Sequence, residues 1–294
     1  MNTALKAILL GIVQGLSEFF PVSSSGHLVL FSRLLDIRMD DELLFSICLH
    51  IGTLAAVIAF FRKDMIRLLG SLLGMIRDGL FNLTQAFHFR KYPEQAVYRK
   101  ILSSSFRRLT VLLMLSCIPT MILGFWLEGL AEKASTNLLA PGMGFWVTGI
   151  VLMVVDKVAA GSMTPRELAY RRALLIGCAQ GISVLPGISR SGVTICASLL
   201  CGMNRKLAVR YSFILSVPTM LGALIFECGV GYGGKGFSAS TLGYGFLGAA
   251  AAGLVAYFTI RKMLKIVRMK QLSYFSYYCF AVGAAAMIGY YAGR

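Results

Sequence analysis

A chain of 294 residues that is 57% hydrophobic and only 14% charged, with a mean hydropathy of +0.72, lies outside the range of soluble globular domains and belongs in a bilayer. Its net charge of +16 comes from 29 Lys and Arg against 13 Asp and Glu. These cations are confined to a few loops between apolar runs, which argues against a nucleic-acid-binding protein and reads as the positive-inside signature of membrane topology.

The first apolar region, residues 4 to 35, is broken by Pro21 and by Ser23, Ser24 and Ser25, so two half-helices joined by a break are predicted. Its opening has one Lys and no small-residue cleavage site before Gln14 and Glu18, and reads as mature protein rather than a signal peptide. A full crossing is predicted at 43 to 61, since roughly 20 apolar residues span about 30 Å of hydrocarbon. Residues 62 to 108, with Arg62, Lys63, Arg67 and Arg77 among ten cations and only Asp64, Asp78 and Glu94 opposing them, read as a cytoplasmic loop. Crossings follow at 109 to 127 and 142 to 159. The next apolar region, 173 to 203, is broken in its turn by Pro186, Gly187, Ser189 and Ser191. Further crossings at 207 to 228, 241 to 260 and 274 to 292 bring the total to six. The basic segments 157 to 172 and 261 to 270 are expected inside, and 129 to 141 and 229 to 240, with one Lys each, outside. With those sides assigned, the first broken hairpin enters and leaves from the outer face and the second from the inner face. The seven cysteines follow no metal-ligand spacing and read as small hydrophobes.

A shift of 166 residues lays Gln14 and Gly15 on Gln180 and Gly181, Ser23 on Ser189, Ser25 on Ser191 and Gly26 on Gly192. The register continues without a gap through Ser46 on Ser212, Thr53 on Thr219 and Phe60 on Phe226. The expected fold is therefore all-α and integral to the membrane, a single domain over 1 to 294. It consists of two inverted-topology repeats, about 1 to 160 and 173 to 294, each with one re-entrant helix hairpin and three transmembrane helices.

Irregular backbone at membrane depth survives only where it is buried in protein or lines a wet cavity, so the two breaks are expected to face each other. The half-helix that starts after each break aims unpaired N–H groups and a positive dipole end into that space, which makes an anion site. Gln14 and Glu18, four apart, share a helix face. Arg190 supplies a planar fork that matches phosphate oxygens, and Glu18, His27 and Arg190 are ionisable groups in apolar surroundings, hence functional candidates. Phosphoryl transfer needs a nucleophile, a proton acceptor and donors for the phosphate oxygens. Ser24 or His27 is the candidate nucleophile, and Glu18 the candidate base or metal ligand. Arg190 is the main phosphate binder, with Gln14, Ser23, Ser25, Gly26, Ser189, Ser191 and Thr194 as further contacts.

The stretches EFFPVSSSGH, preceded by Gln14, and PGISRSGVT resemble those of the bacitracin-resistance undecaprenyl-diphosphate phosphatases, and the resemblance covers nearly the whole chain. It implies a hydrolase of bacterial cell-wall lipid recycling in the plasma (inner) membrane. The implied substrate is the C55 isoprenoid diphosphate undecaprenyl diphosphate, dephosphorylated on the outer, periplasmic side with a divalent cation, Mg2+ or Ca2+, as cofactor. Peptidoglycan synthesis, cell shape and bacitracin resistance follow from that role. Gln14 is the non-acidic option of the family pattern, which weighs against a metal ligand there. Membrane lipids are the other expected partners, and a homo-oligomer is allowed.

The rival reading is a transporter or flippase of polyprenyl phosphate lipids, because inverted repeats with broken helices are also a transporter architecture. A channel lacks any ring of like charges. Outside the two breaks, His50 reads as structural, Asp156 with Lys157 as an interfacial pair, Arg210 and Glu227 as snorkelling span ends, and Tyr274 to Phe280 as an aromatic belt.

Overall fold

A computed structural model describes residues 2–34, 41–158, 161–231 and 239–292. Most of the expected outer loop at 229 to 240 falls outside them. Among the described residues the fold is all-helical, with one isolated bridge between Met163 and Met203.

The first broken region forms α1 (Thr3–Phe19) and α2 (Ser24–Leu34). Pro21 has no N–H with which to continue the first helix, and Ser23, at φ 67°, turns the chain into the second. Then come α3 (Glu42–Phe60), α4 (Arg62–His88), a short 3-10 turn (Pro93–Gln95), α5 (Ser105–Ser135) and α6 (Leu139–Lys157). The second broken region gives α7 (Tyr170–Ile182) and α8 (Arg190–Leu200), followed by α9 (Arg205–Phe226), α10 (Ala239–Arg268) and α11 (Ser273–Ala292). Helix starts carry polar caps: Asp41 accepts from Leu44 N at 2.9 Å, Ser104 from Arg107 N at 3.2 Å and Asn204 from Leu207 N at 2.8 Å.

Five helices, α3, α5, α6, α9 and α10, are long and apolar enough to cross a membrane. The sixth expected crossing is α11, which is uncharged and 20 residues long but is made less apolar by five tyrosines. The expected loop at 62 to 108 is corrected more sharply, because its first 27 residues form the helix α4. Its apolar residues recur at helical spacing, a pattern masked in the sequence by the density of cations.

Close packing between helices runs through small residues. A Cβ added at Gly11 of α1 would lie 2.3 Å from the Gly248 carbonyl of α10, and one at Gly177 of α7 only 2.1 Å from the Ser116 carbonyl of α5. Gly11 and Gly177 are themselves 166 residues apart, so α1 lies on α10 in the way that α7 lies on α5. Around these contacts Phe19, Ile47, Leu112, Phe213, Leu215 and Ile260 form part of one buried core, in which the Phe19 and Phe213 rings meet edge to face at 5.3 Å.

Candidate active site

The two breaks meet. Ser191 donates its hydroxyl to the Phe20 carbonyl at 3.2 Å, and a Cβ on Gly26 would stand 2.9 Å from the Cα of Gly187. The second break is pinned to α6, where Thr148 Oγ1 donates to the Gly187 carbonyl at 2.8 Å and accepts from Ser189 N at 2.9 Å. Gly187 sits at φ +87° with the Pro141 carbonyl against its α-carbon, a position that takes no side chain.

The same hydroxyl arrangement opens both half-helices. Ser23 Oγ accepts from Gly26 N at 3.4 Å and lies 3.3 Å from Ser25 Oγ. Ser189 Oγ accepts from Gly192 N at 3.1 Å and lies 3.3 Å from Ser191 Oγ. The first-turn N–H groups that no helix can pair internally therefore gather at one place.

On this scaffold the side chains of the two halves differ. The residue opening α2 is Ser24 and the residue opening α8 is Arg190. Between them stands Glu18, the fourth residue back from Val22. Its Oε1 accepts from Arg190 Nη2 at 2.6 Å, and its Oε2 accepts from Ser24 Oγ at 2.6 Å and from Gln14 Nε2 at 2.9 Å. Glu18 and Gln14 are buried, and an ionised carboxylate in such a place is tolerable only with this set of partners.

Glu18, Ser24, Ser25 and Arg190 open onto a cavity of about 580 Å³ whose far walls come from α5 and α9. Those walls are largely apolar, with Met121, Phe125, Met220, Leu224 and Phe226 among them, so a charged floor adjoins a mostly greasy groove. The other expected phosphate contacts are placed as support. Gln14 lies behind Glu18, Ser23 and Ser189 are caps, Gly26 and Ser191 join the two breaks, and Thr194 donates to the Arg190 carbonyl at 2.8 Å.

His27 is held at both ring nitrogens, Nδ1 by the Ser23 carbonyl and Nε2 by Tyr278 Oη, each at 2.7 Å, and its ring stacks on Tyr278. Tyr278 thus belongs to the site's support rather than only to an aromatic belt. His50, expected to be structural, lines the cavity instead. Its Nδ1 faces the Ser46 carbonyl at 2.9 Å, and because a carbonyl only accepts, Nδ1 carries the proton and Nε2 is the nitrogen left for the cavity. Glu128 and Glu227 also line this space, and Glu227 Oε2 is buried without a hydrogen-bond partner among the described residues. No local motif marked these residues in the sequence, because they come from three different helices.

Two further expectations change. Asp156 turns from Lys157 to Arg205, at 3.7 Å, and accepts from Ser273 N at 2.7 Å. Arg210 does not snorkel but donates to Asp64, its Nε at 2.9 Å.

For a divalent cation, the described residues offer no group of three His, Cys, Asp or Glu. Beside Glu18, however, the Gln14 carbonyl oxygen Oε1 is buried and has no partner among the described residues. With Glu18 and Ser24 Oγ it makes a set of oxygen donors only. Such a set suits a hard cation that takes its remaining ligands from phosphate and water.

Fold and site together define the class: an all-helical, multi-pass membrane protein with an ionic site enclosed between two helix breaks. More particularly, the chain belongs to the bacitracin resistance protein BacA family, which its sequence matches over residues 7–285. It is similar to proteins named undecaprenyl-diphosphatase over nearly their whole length. That of Methanosphaera stadtmanae is 38% identical over 288 residues, covering 98% of each chain. That of Alkaliphilus metalliredigens is 36% identical over 290 residues, covering 97% of this chain and 98% of the relative, and that of Halothermothrix orenii is 37% identical over 283 residues, covering 96% of each.

Proposed function

We propose that this chain is an undecaprenyl-diphosphate phosphatase, hydrolysing the lipid diphosphate to the monophosphate and inorganic phosphate in cell-wall carrier recycling and so conferring bacitracin resistance. The observation that carries the reading is one carboxylate, Glu18, hydrogen-bonded at once to a hydroxyl nucleophile on its own half and to a guanidinium on the other. The names of the full-length relatives point the same way.

Ser24 is the nucleophile in this reading. Its Oγ attacks the terminal phosphorus, its proton passes to Glu18, and the bond from that phosphorus to the bridging oxygen breaks, releasing the lipid monophosphate. Glu18 passes that proton to the departing monophosphate oxygen, takes one from a water attacking the phosphoserine and returns it to Ser24 as inorganic phosphate leaves. Arg190 and the first-turn N–H groups of α2 and α8 bind the equatorial oxygens. His27, with both nitrogens engaged, positions the Ser23 turn. Glu18, with Gln14 Oε1, would hold a Mg2+ or Ca2+, which when bound supplies charge neutralisation at the diphosphate. The isoprenoid tail lies along the apolar walls of α5 and α9.

In this reading the two broken regions are re-entrant hairpins, and α11 is the sixth crossing. The halves are inverted repeats within one domain, and the cavity opens to the outer side of the plasma membrane. The coinciding caps, breaks and packing glycines at a shift of 166 residues support duplication. A lipid flippase would need the Arg190 cation but has no use for a Ser24 hydroxyl held 2.6 Å from a carboxylate, so the enzyme is the better reading.

The test is phosphate release from a polyprenyl diphosphate by detergent-purified protein, with and without chelator. Release that stops with chelator and returns with Mg2+ or Ca2+ is expected. Unchanged release by Glu18→Ala or Arg190→Ala would overturn the assignment.

A further inference from the structure

The helix α4 is inside out. In an amphipathic helix of a soluble fold the apolar stripe faces the protein and the polar face meets water. Here the side facing the protein carries Asp64, Asp78 and Asn82 beside Met65, Leu68 and Met75, and the larger apolar stripe faces away from it. Asp64 takes the Arg210 guanidinium. Asp78 takes Arg107 at 2.7 Å and Arg99 at 3.4 Å. Asn82 exchanges two hydrogen bonds with the Arg99 backbone, at 2.8 and 2.7 Å. On the opposite side Ile66, Leu69, Leu73, Ile76, Leu80 and Leu83, spaced alternately by three and four residues, are between 51% and 69% exposed.

The anchors also fix how the helix lies. Asp64 and Asp78 are about 21 Å apart along the axis. One is held at the first turns of α9 and the other at the first turn of α5, while a single residue, Phe61, separates α4 from the end of α3. It therefore runs across the ends of three membrane-length helices.

Its charges complete the picture. The two acids of α4 are consumed by the internal pairs, whereas Arg62, Lys63, Arg67 and Arg77 are exposed. Just beyond its end come exposed Arg90, Lys91 and Tyr92, residues of the kind that anchor at a headgroup layer. A self-complementary helix pair would also accept a stripe spaced by three and four, but two copies would set cations against cations along its edges.

We propose that α4 is an interfacial helix whose leucine and isoleucine stripe is seated in the headgroup region of the bilayer, held there by anionic phospholipid. The basic segment thereby acquires a lipid ligand in its own right, independent of the reading of the cavity.

The test uses the full-length protein carrying the photoreactive residue p-benzoylphenylalanine in place of Leu73 or Leu80. The protein is reconstituted into vesicles of phosphatidylcholine alone or with one third phosphatidylglycerol and read by intact mass after irradiation. A phospholipid adduct is expected at both positions, with a yield several-fold higher in the anionic vesicles. The difference should vanish when Arg62, Lys63, Arg67 and Arg77 are all replaced by Gln. Adducts between two protein chains, no lipid adduct, or equal yields in the two vesicles would each overturn the proposal. In the unsubstituted protein, amide exchange across residues 62 to 88 should slow in the anionic vesicles, and exchange that ignores the lipid would count equally against it.

Discussion

Glu18 accepts hydrogen bonds from three side chains, and each neighbour has a separable effect. Removing Ser24 by Ser24→Ala takes away the proposed nucleophile and is expected to cut phosphate release by roughly 10³-fold or more. Gln14→Ala removes one hydrogen bond to a charged group and one proposed oxygen ligand of the cation, and is expected to cost about tenfold or more while leaving residual release. A Ser24→Ala enzyme within tenfold of the parent would shift the attack to water. His50 lines the same space as Glu18 on α1, Arg190 on α8, Glu227 beyond α9 and Glu128 on α5, while residues 239 to 260 of α10 bring no charge. His50→Gln is expected to lower phosphate release severalfold, and unchanged release would return His50 to a structural role. The Gln14 and Glu18 pair was legible in the sequence because a spacing of four is local physics. Tyr278, which lies 251 residues from its partner His27, was not, because nothing local encodes that meeting.

At the scale of elements, helix breaks were the most readable feature, since proline and clustered serines act through the backbone whatever the tertiary surroundings. Helix contacts were less so. Gly177 looks unremarkable in sequence, yet it admits the Ser116 carbonyl of α5. Gly177→Val is expected to cost at least about 1–3 kcal/mol by overpacking, read as a lowered thermal midpoint in detergent, whereas the same change at Gly70, which meets nothing within 4 Å, should leave the midpoint in place. The helix α4 was hidden by its own cations. Its Asp78 carboxyl is held below the usual carboxylate range, first by the hydrogen bond from Arg107 and then by Arg99 and Arg77. A lowered native value means that this anchor is intact above the ordinary carboxylate range and is lost as pH falls through the depressed one. Proteolysis within 62 to 104 should accordingly accelerate on acidification in the parent but not in Asp78→Asn, which has already lost the pairing.

For the molecule as a whole, the order of apolar runs and basic segments was enough to draw most crossings, because hydrocarbon thickness and loop charge act without tertiary detail. How the halves interlock was not legible, as it depends on which glycines meet. The helix α1 of the first half lies on α10 of the second, and α7 of the second lies on α5 of the first. Topology itself is open to test. A cysteine introduced at Arg90 is expected to react with an impermeant thiol reagent only after permeabilisation, and one at Lys235, beyond the described residues, from outside. The reverse pattern would invert the whole arrangement.

The contact between Glu18 and Arg190, 2.6 Å long across the two breaks, implies that the resting site carries its own tethered competitor. An arriving headgroup must displace a carboxylate whose effective concentration is set by covalent attachment, so weak anions of the surroundings are turned away. After hydrolysis the same carboxylate is ready to reclaim the guanidinium, which favours ejection of free phosphate and keeps the spent site from staying blocked. Neutralising it by Glu18→Gln is then expected to slow turnover while tightening the hold on inorganic phosphate, two opposite movements from a single atom exchanged.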